Sequence, residues 1–189
     1  MSSRAFTLLD LVITLCVAAL LIFLVQKSIV RNSPLDAARR ANAKNGAREI
    51  ANAVSAYKME YGRWPLTNAV VQNVEGPFLL ALTGTNVQGL NPRQITFLEP
   101  MSARKGRCGL TNGMFVDPWG SPYRILVDTD YDGVITNAGP FDMAARVRAE
   151  VAVWNDPAAH GDKPDAAAAG RRAVTSWETS SVPRLPRKN

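Results

Sequence analysis

One apolar run limits what this chain can become more than anything else in it. From Phe6 to Val25 it reads FTLLDLVITLCVAALLIFLV, and Asp10 is the single charge inside it. At about 1.5 Å per helical residue the run reaches about 30 Å, the thickness of a bilayer's hydrocarbon core. It is too long and too continuous for a buried helix of a small domain. A short polar leader, Met1 to Ala5, stands before it.

Two general uses of such a run fit imperfectly. A cleaved secretory signal calls for several basic residues, an apolar core of roughly 7–15 residues and a small-x-small site after it. Here the apolar part is longer, and Leu24-Val25-Gln26-Lys27-Ser28 offers no such site. A plain membrane anchor accounts for the length but not for Asp10. A carboxylate in a membrane helix costs about 2.5–3.5 kcal/mol on insertion scales, and usually marks a function and a partner.

A third use supplies that partner. Ala5-Phe6-Thr7-Leu8-Leu9-Asp10, followed by the apolar run, resembles the N-terminal signature of type IV pilins and type II secretion pseudopilins. The resemblance implies that a prepilin peptidase cuts between Ala5 and Phe6 and that the new N-terminus at Phe6 is methylated. It also implies that Asp10 pairs with the amino terminus of a neighbouring subunit. An ammonium and a carboxylate that are each costly in lipid cost less together. The family usually has Gly before the cut and Glu at the acidic position. Ala5 and the shorter Asp10 keep the chemistry, at the expense of slower processing or weaker pairing.

Beyond the leader and the membrane helix, roughly 160 of the 189 residues remain, enough for one small domain with a modest core. The chain is basic, with 22 Lys and Arg against 16 Asp and Glu. The basic residues are scattered in sequence: Arg39, Arg40, Lys44 and Arg48, then Arg104, Lys105 and Arg107, then a basic tail. No aromatic residues interleave with them in sequence as a base-stacking surface needs, so a solvated surface is expected and nucleic acid is not. Counting Arg4 before the helix against Lys27 and Arg31 after it would keep the domain cytoplasmic. The resemblance implies the reverse: a single-pass inner-membrane protein with a periplasmic head. Cys16 lies in the membrane run and Cys108 in the soluble part, so the two are not expected to bridge. Cys108 then reads as a partly buried small residue, with an intersubunit disulfide as the sharper alternative.

After Asn32-Ser33, Pro34 suits the first turn of a renewed helix or a kink in a continuous one. Ala43, Ala47, Ile50, Val54, Tyr57 and Tyr61 recur at spacings of four and three, which places them on one helical face. Tyr61-Gly62-Arg63-Trp64-Pro65 ends that helix. Phe78 to Thr83 predicts a short helix stopped by Gly84, and Ile95 to Leu98 a strand or packed loop. Arg104 to Arg107 predicts an exposed turn. Asp117-Pro118-Trp119-Gly120 fits a type I turn, and Tyr123 to Val127 a strand with a return strand from Val134. Val147 to Trp154 alternates with period two and reads as a strand.

The expected fold is therefore α+β and pilin-like, a long N-terminal helix, half of it transmembrane, packed on a small antiparallel sheet. Residues 1–5 are the leader, 6–27 the transmembrane half of the stem and 28–62 its soluble half. Residues 63–178 form the head and 179–189 a flexible tail. Asp117-Pro118-Trp119-Gly120-Ser121-Pro122-Tyr123 strongly resembles a segment of the major pseudopilin of type II secretion systems. Ala56 to Pro65 looks like the end of that family's stem, and Val151 to Trp154 and Thr175 to Glu178 like its last two strands. The stretch between, from Asn155 to Ala173, reads as a mobile loop.

Asp128-Thr129-Asp130-Tyr131-Asp132-Gly133 carries carboxylates at positions one, three and five and then Gly, the first half of a calcium loop. The Glu that closes an EF-hand would fall at Gly139, so an EF-hand is not expected. A calcium turn and a plain Asp- and Gly-rich hairpin turn both stay open. The resemblance implies a second candidate, before the last strand, with Asp156, Asp162 and Asp165. An enzyme is not expected. The one histidine, His160, falls in the mobile loop, and no nucleophile motif, Gly-rich phosphate loop or Cys–His cluster appears.

The resemblance implies a structural subunit. It is cleaved, N-methylated and polymerised with itself and other pseudopilins, on an inner-membrane assembly platform, into the periplasmic pseudopilus. Two alternatives remain: a minor or DNA-uptake type IV pilin, and a membrane-anchored periplasmic calcium-binding domain that never polymerises.

Overall fold

The computed structural model describes residues 8–31, 34–66, 70–139, 145–155 and 173–177. It is α+β. Helix α1 spans Leu8–Arg31 and helix α2 spans Pro34–Tyr61. Two compact units divide the chain, Met1–Ala38 and Arg39–Asn189. In the first, the side chains described in α1 run from residue 11 to residue 23, and all are exposed, Leu15 at 63% and Phe23 at 61% among them. Thirteen residues rise only about 20 Å. Among the described residues no helix is long and apolar enough to cross a membrane.

The second unit is built on the apolar stripe of α2. Ala43, Ala47, Ile50, Val54 and Tyr57 are buried, as their spacing predicts. Gly46 and Ala53 widen the stripe. Pro34 opens α2, where its missing N–H costs nothing. Gly62, at φ 64°, closes it with an N–H to the Lys58 carbonyl at 2.8 Å. Helix α3, Gly76–Leu82, buries Phe78, Leu79, Ala81 and Leu82 and stops before Gly84 at φ 94°. The segment after it makes only an isolated bridge, Thr83 to Thr96, so residues 95–98 are a packed loop.

Among the described residues the head holds three small antiparallel sheets where the sequence suggested one. Strand β1 (Gln72–Asn73), β4 (Tyr123–Val127) and β7 (Val151–Asn155) form the first, in the order β1-β4-β7. Strands β2 (Gly109–Thr111) and β3 (Met114–Val116) form the second, and β5 (Ile135–Ala138) and β6 (Ala145–Val147) the third. Thus the return strand after Val134 pairs with β6 and not with β4. The alternating run from Val147 to Trp154 is broken by a turn at residues 148–150 and resumes as β7.

All five residues of β7 are buried, because the first sheet is covered on both faces. Val151 and Val153 join Tyr123, Ile125 and Val127 against the α2 stripe. Ala152 and Trp154 turn the other way and pack with Leu126, Ile135, Ala138 and Val147. Period two in the sequence reports the pleat, not exposure to water. Thr175 adds an isolated bridge to Trp154, the described trace of the last expected strand.

Candidate acidic loop site

The acidic loop begins where β4 ends. Asp128 donates its backbone N–H to the Glu150 carbonyl at 2.9 Å, which holds the loop to the turn before β7. Its own carbonyl accepts the Trp64 indole N–H at 2.6 Å. Asp128 is buried, 4% exposed, and its carboxylate organises the turn. Oδ1 accepts the N–H of Tyr131 and Oδ2 that of Gly133, each at 2.8 Å. Asp132 Oδ1 accepts the N–H of Val134 at 2.7 Å. The bend requires two left-handed residues, Tyr131 at φ 60° and Gly133 at φ 76°. Gly takes that conformation freely, whereas Tyr131 is held in it by its neighbours.

Those neighbours lie on the chain around the end of α2. The Tyr131 ring stacks on Trp64, centroids 6.3 Å apart and planes 13° apart. Lys58 Nζ stands 4.2 Å from the Trp64 centroid and 4.8 Å from that of Tyr131, and pairs with Glu150 at 3.1 Å. This clamp escaped the sequence reading, since four separated residues carry no spacing signal.

Asp128, Asp130 and Asp132 each offer an oxygen, and these oxygens lie within 4.8 Å of one another. Asp130 and Asp132 are exposed. Two oxygens sharing one calcium ion at 2.3–2.6 Å lie at most about 4.6–5.2 Å apart, so the spacing fits that ion. A cavity of about 140 Å³ opens here, lined in part by Leu126, Asp128, Asp130, Asp132, Ile135 and Thr136.

The carboxyls share their protons unequally. Burial pushes Asp128 upward, but hydrogen bonds from the Asp130 carboxyl and from the Gly133, Tyr131 and Asp132 amides outweigh it, and Asp128 sits below its ordinary value. Asp130 is raised, first by that same bond to Asp128 and then by the charge of Asp132. A divalent cation would replace the shared proton.

Other expected site residues fare differently. The backbone at Asp10 is helical within α1, while its side chain, Ala5 and Phe6 lie outside the described residues. So do Asp156, Asp162, Asp165, His160 and the tail from 179 to 189. Cys16 and Cys108 are free thiols, and burial, then Glu49, hold Cys108 above the ordinary thiol value. The 117–120 turn forms as expected, Gly120 N–H to the Asp117 carbonyl at 3.0 Å. In comparisons with known proteins, no family model, no curated protein and no solved structure matches the chain.

Proposed function

We infer that the chain is a pseudopilin-like structural subunit. It is anchored in the inner membrane by α1, cut between Ala5 and Phe6, methylated on Phe6 and drawn into a filament with its head on the periplasmic side. The observation that carries this reading is α1, a helix whose described side chains are exposed and, Thr14 apart, apolar, with Asp10 near its start. Such a surface needs lipid or other helices around it. A pseudopilin has both, lipid before assembly and neighbouring stems after. Asp10 would set register by pairing with a neighbour's amino terminus. The α2 stripe covered by antiparallel strands, and the Asp117–Gly120 turn that leads into β4, agree with a head of this kind. Within the head, calcium held by Asp128, Asp130 and Asp132 would pin the loop between β4 and β5 and serve structure alone.

Intact mass tests the reading. Protein extracted from membranes of cells with a prepilin peptidase should lack Met1 to Ala5 and carry one added methyl group. Cells without the peptidase should yield the whole chain. An unprocessed N-terminus in both would sink the pilin pathway and leave a membrane-anchored calcium-binding domain as the account.

A further inference from the structure

Basic residues far apart in sequence meet at one end of the head. The tight turn Arg104–Arg107 closes with the Arg107 N–H on the Arg104 carbonyl at 2.8 Å, and Arg104, Lys105 and Arg107 are all exposed. The turn rests on the early part of α2. Asn42 Nδ2 donates to the Gly106 carbonyl at 3.4 Å, and Arg39 Nε lies 3.7 Å from where a Cβ on Gly106 would stand. Three exposed cationic side chains therefore share one small surface, with the half-buried Arg39, its Nε out of reach of water, at its edge. Of the carboxylates nearby in sequence or space, Glu49 and Asp36 are exposed on α2 and Asp117 is buried. Glu49 and Asp117 act on the Cys108 thiol beneath the turn, and Asp117 is 1% exposed with its oxygens turned inward.

The surface also has an apolar part. The Gly106 N–H donates to the Pro118 carbonyl at 3.3 Å, which sets Trp119 beside the basic turn. Trp119 is half-buried and belongs to neither core cluster, unlike Trp64 and Trp154. Met101, just before the turn, is 70% exposed. Lys and Arg around a tryptophan and an exposed apolar side chain are what the headgroup zone of a bilayer accommodates. A nucleic-acid surface wants more phosphate contacts and several stacking rings. Arg39 also follows the end of α1 at Arg31 by only eight residues in sequence.

We propose that Arg39, Arg104, Lys105 and Arg107, with Trp119 and Met101, form a docking surface for anionic phospholipid headgroups. The patch binds the charged surface of a bilayer. This inference rests on the membrane reading of α1. It adds a second, electrostatic contact that salt and lipid charge control and that α1 does not supply.

The test uses the full chain mixed with vesicles of phosphatidylcholine alone or with phosphatidylglycerol added. Amine-reactive labelling is read by mass spectrometry. Lys105 should label several-fold more slowly on the anionic vesicles, and high salt should restore its rate. Lys58, held between Trp64, Tyr131 and Glu150, should not change. Arg104→Gln with Arg107→Gln should remove the protection, at roughly fivefold for each charge lost. Equal labelling of Lys105 on both vesicles overturns the proposal. Protection by a DNA duplex and not by anionic lipid overturns it as well, in favour of a nucleic-acid surface. Flotation with neutral vesicles tests α1 separately. If the chain fails to float there, the anchor reading fails. Salt-sensitive flotation with anionic vesicles alone then supports the patch, and no flotation with either overturns it.

Discussion

The Trp64 indole donates its N–H to the Asp128 carbonyl at 2.6 Å, which joins the chain just beyond α2 to the first residue of the acidic loop 64 positions later. Asp128 fixes Tyr131, and Tyr131 stacks back on Trp64. The contacts close a ring between the chain just beyond α2 and the loop.

Trp64→Phe keeps an aromatic surface under Tyr131 but leaves the Asp128 carbonyl without its indole donor. The expected loss is about 2 kcal/mol, from the unpaired carbonyl and the smaller ring. Urea unfolding of the head checks it. Calcium added to the wild type should shift tryptophan emission, and the variant should lose most of that response. An unchanged unfolding midpoint would show that the hydrogen bond carries no net stability.

Calcium should protect the head against heat, and acid should abolish the protection. The signs of the two carboxyls differ. Asp128 is held low, so its contribution is present above the ordinary carboxyl value of 3.8 and is lost as pH falls through its lower folded value. Asp130 is held high, so its protonated form favours the fold at low pH and that contribution is lost as pH rises through its raised value. Calcium needs both carboxylates ionised. The calcium-induced rise in melting temperature should therefore fade as acid reaches the raised Asp130 range, before Asp128 titrates. Asp130→Asn should remove that pH step and weaken calcium binding about tenfold or more. A calcium response unaltered by this substitution would place the ion elsewhere.

Gly46→Ala should destabilise the head, although Ala in a helix interior usually gains about 1 kcal/mol over Gly. A Cβ there would stand 2.7 Å from the Tyr123 hydroxyl and 2.9 Å from Cys108 Sγ. The hydroxyl cannot retreat freely, since it donates to the Ala43 carbonyl at 2.8 Å. A net loss of about 1–3 kcal/mol is expected from overpacking. Chemical denaturation decides, and a gain in stability would mean that β4 can move off α2.

Much of this was legible in the sequence, for reasons that differ by element. The buried stripe from Ala43 to Tyr57 follows from period 3.6, and the stop at Gly62 from its left-handed φ. The 117–120 turn follows from its residue types. The β2–β3 hairpin was missed although Asn112-Gly113, both at positive φ, is a strong two-residue hairpin signal. Its strands are only three residues long, too short for periodicity to register. The split of one expected sheet into three depends on which strands meet in space. So does the gathering of Arg39 with Arg104–Arg107. At the acidic loop the three aspartates were legible from spacing, but the Lys58, Trp64 and Glu150 clamp was not.

Asp117 should prove the costliest carboxylate in the head to remove. Its Oδ1 accepts the N–H of Trp119 and of Ser121, each at 2.9 Å, and its Oδ2 accepts Asn155 Nδ2 at 3.0 Å. Asn155 Oδ1 in turn accepts the Val174 N–H at 2.8 Å. One buried side chain thus shapes the turn into β4, fixes the end of β7 and, through Asn155, seats residues 173–177. Asp117→Ala would strand three donors in the interior at once. A loss of about 3–5 kcal/mol is expected, a large share of the stability of a domain this size. Asp132→Ala, at an exposed carboxylate, should cost less than about 1 kcal/mol without calcium. Denaturant unfolding of both variants, with the metal chelated, makes the comparison direct. A cost below about 1 kcal/mol for Asp117→Ala would mean that water replaces the carboxylate, and that the turn holds by Pro118 and Gly120 alone.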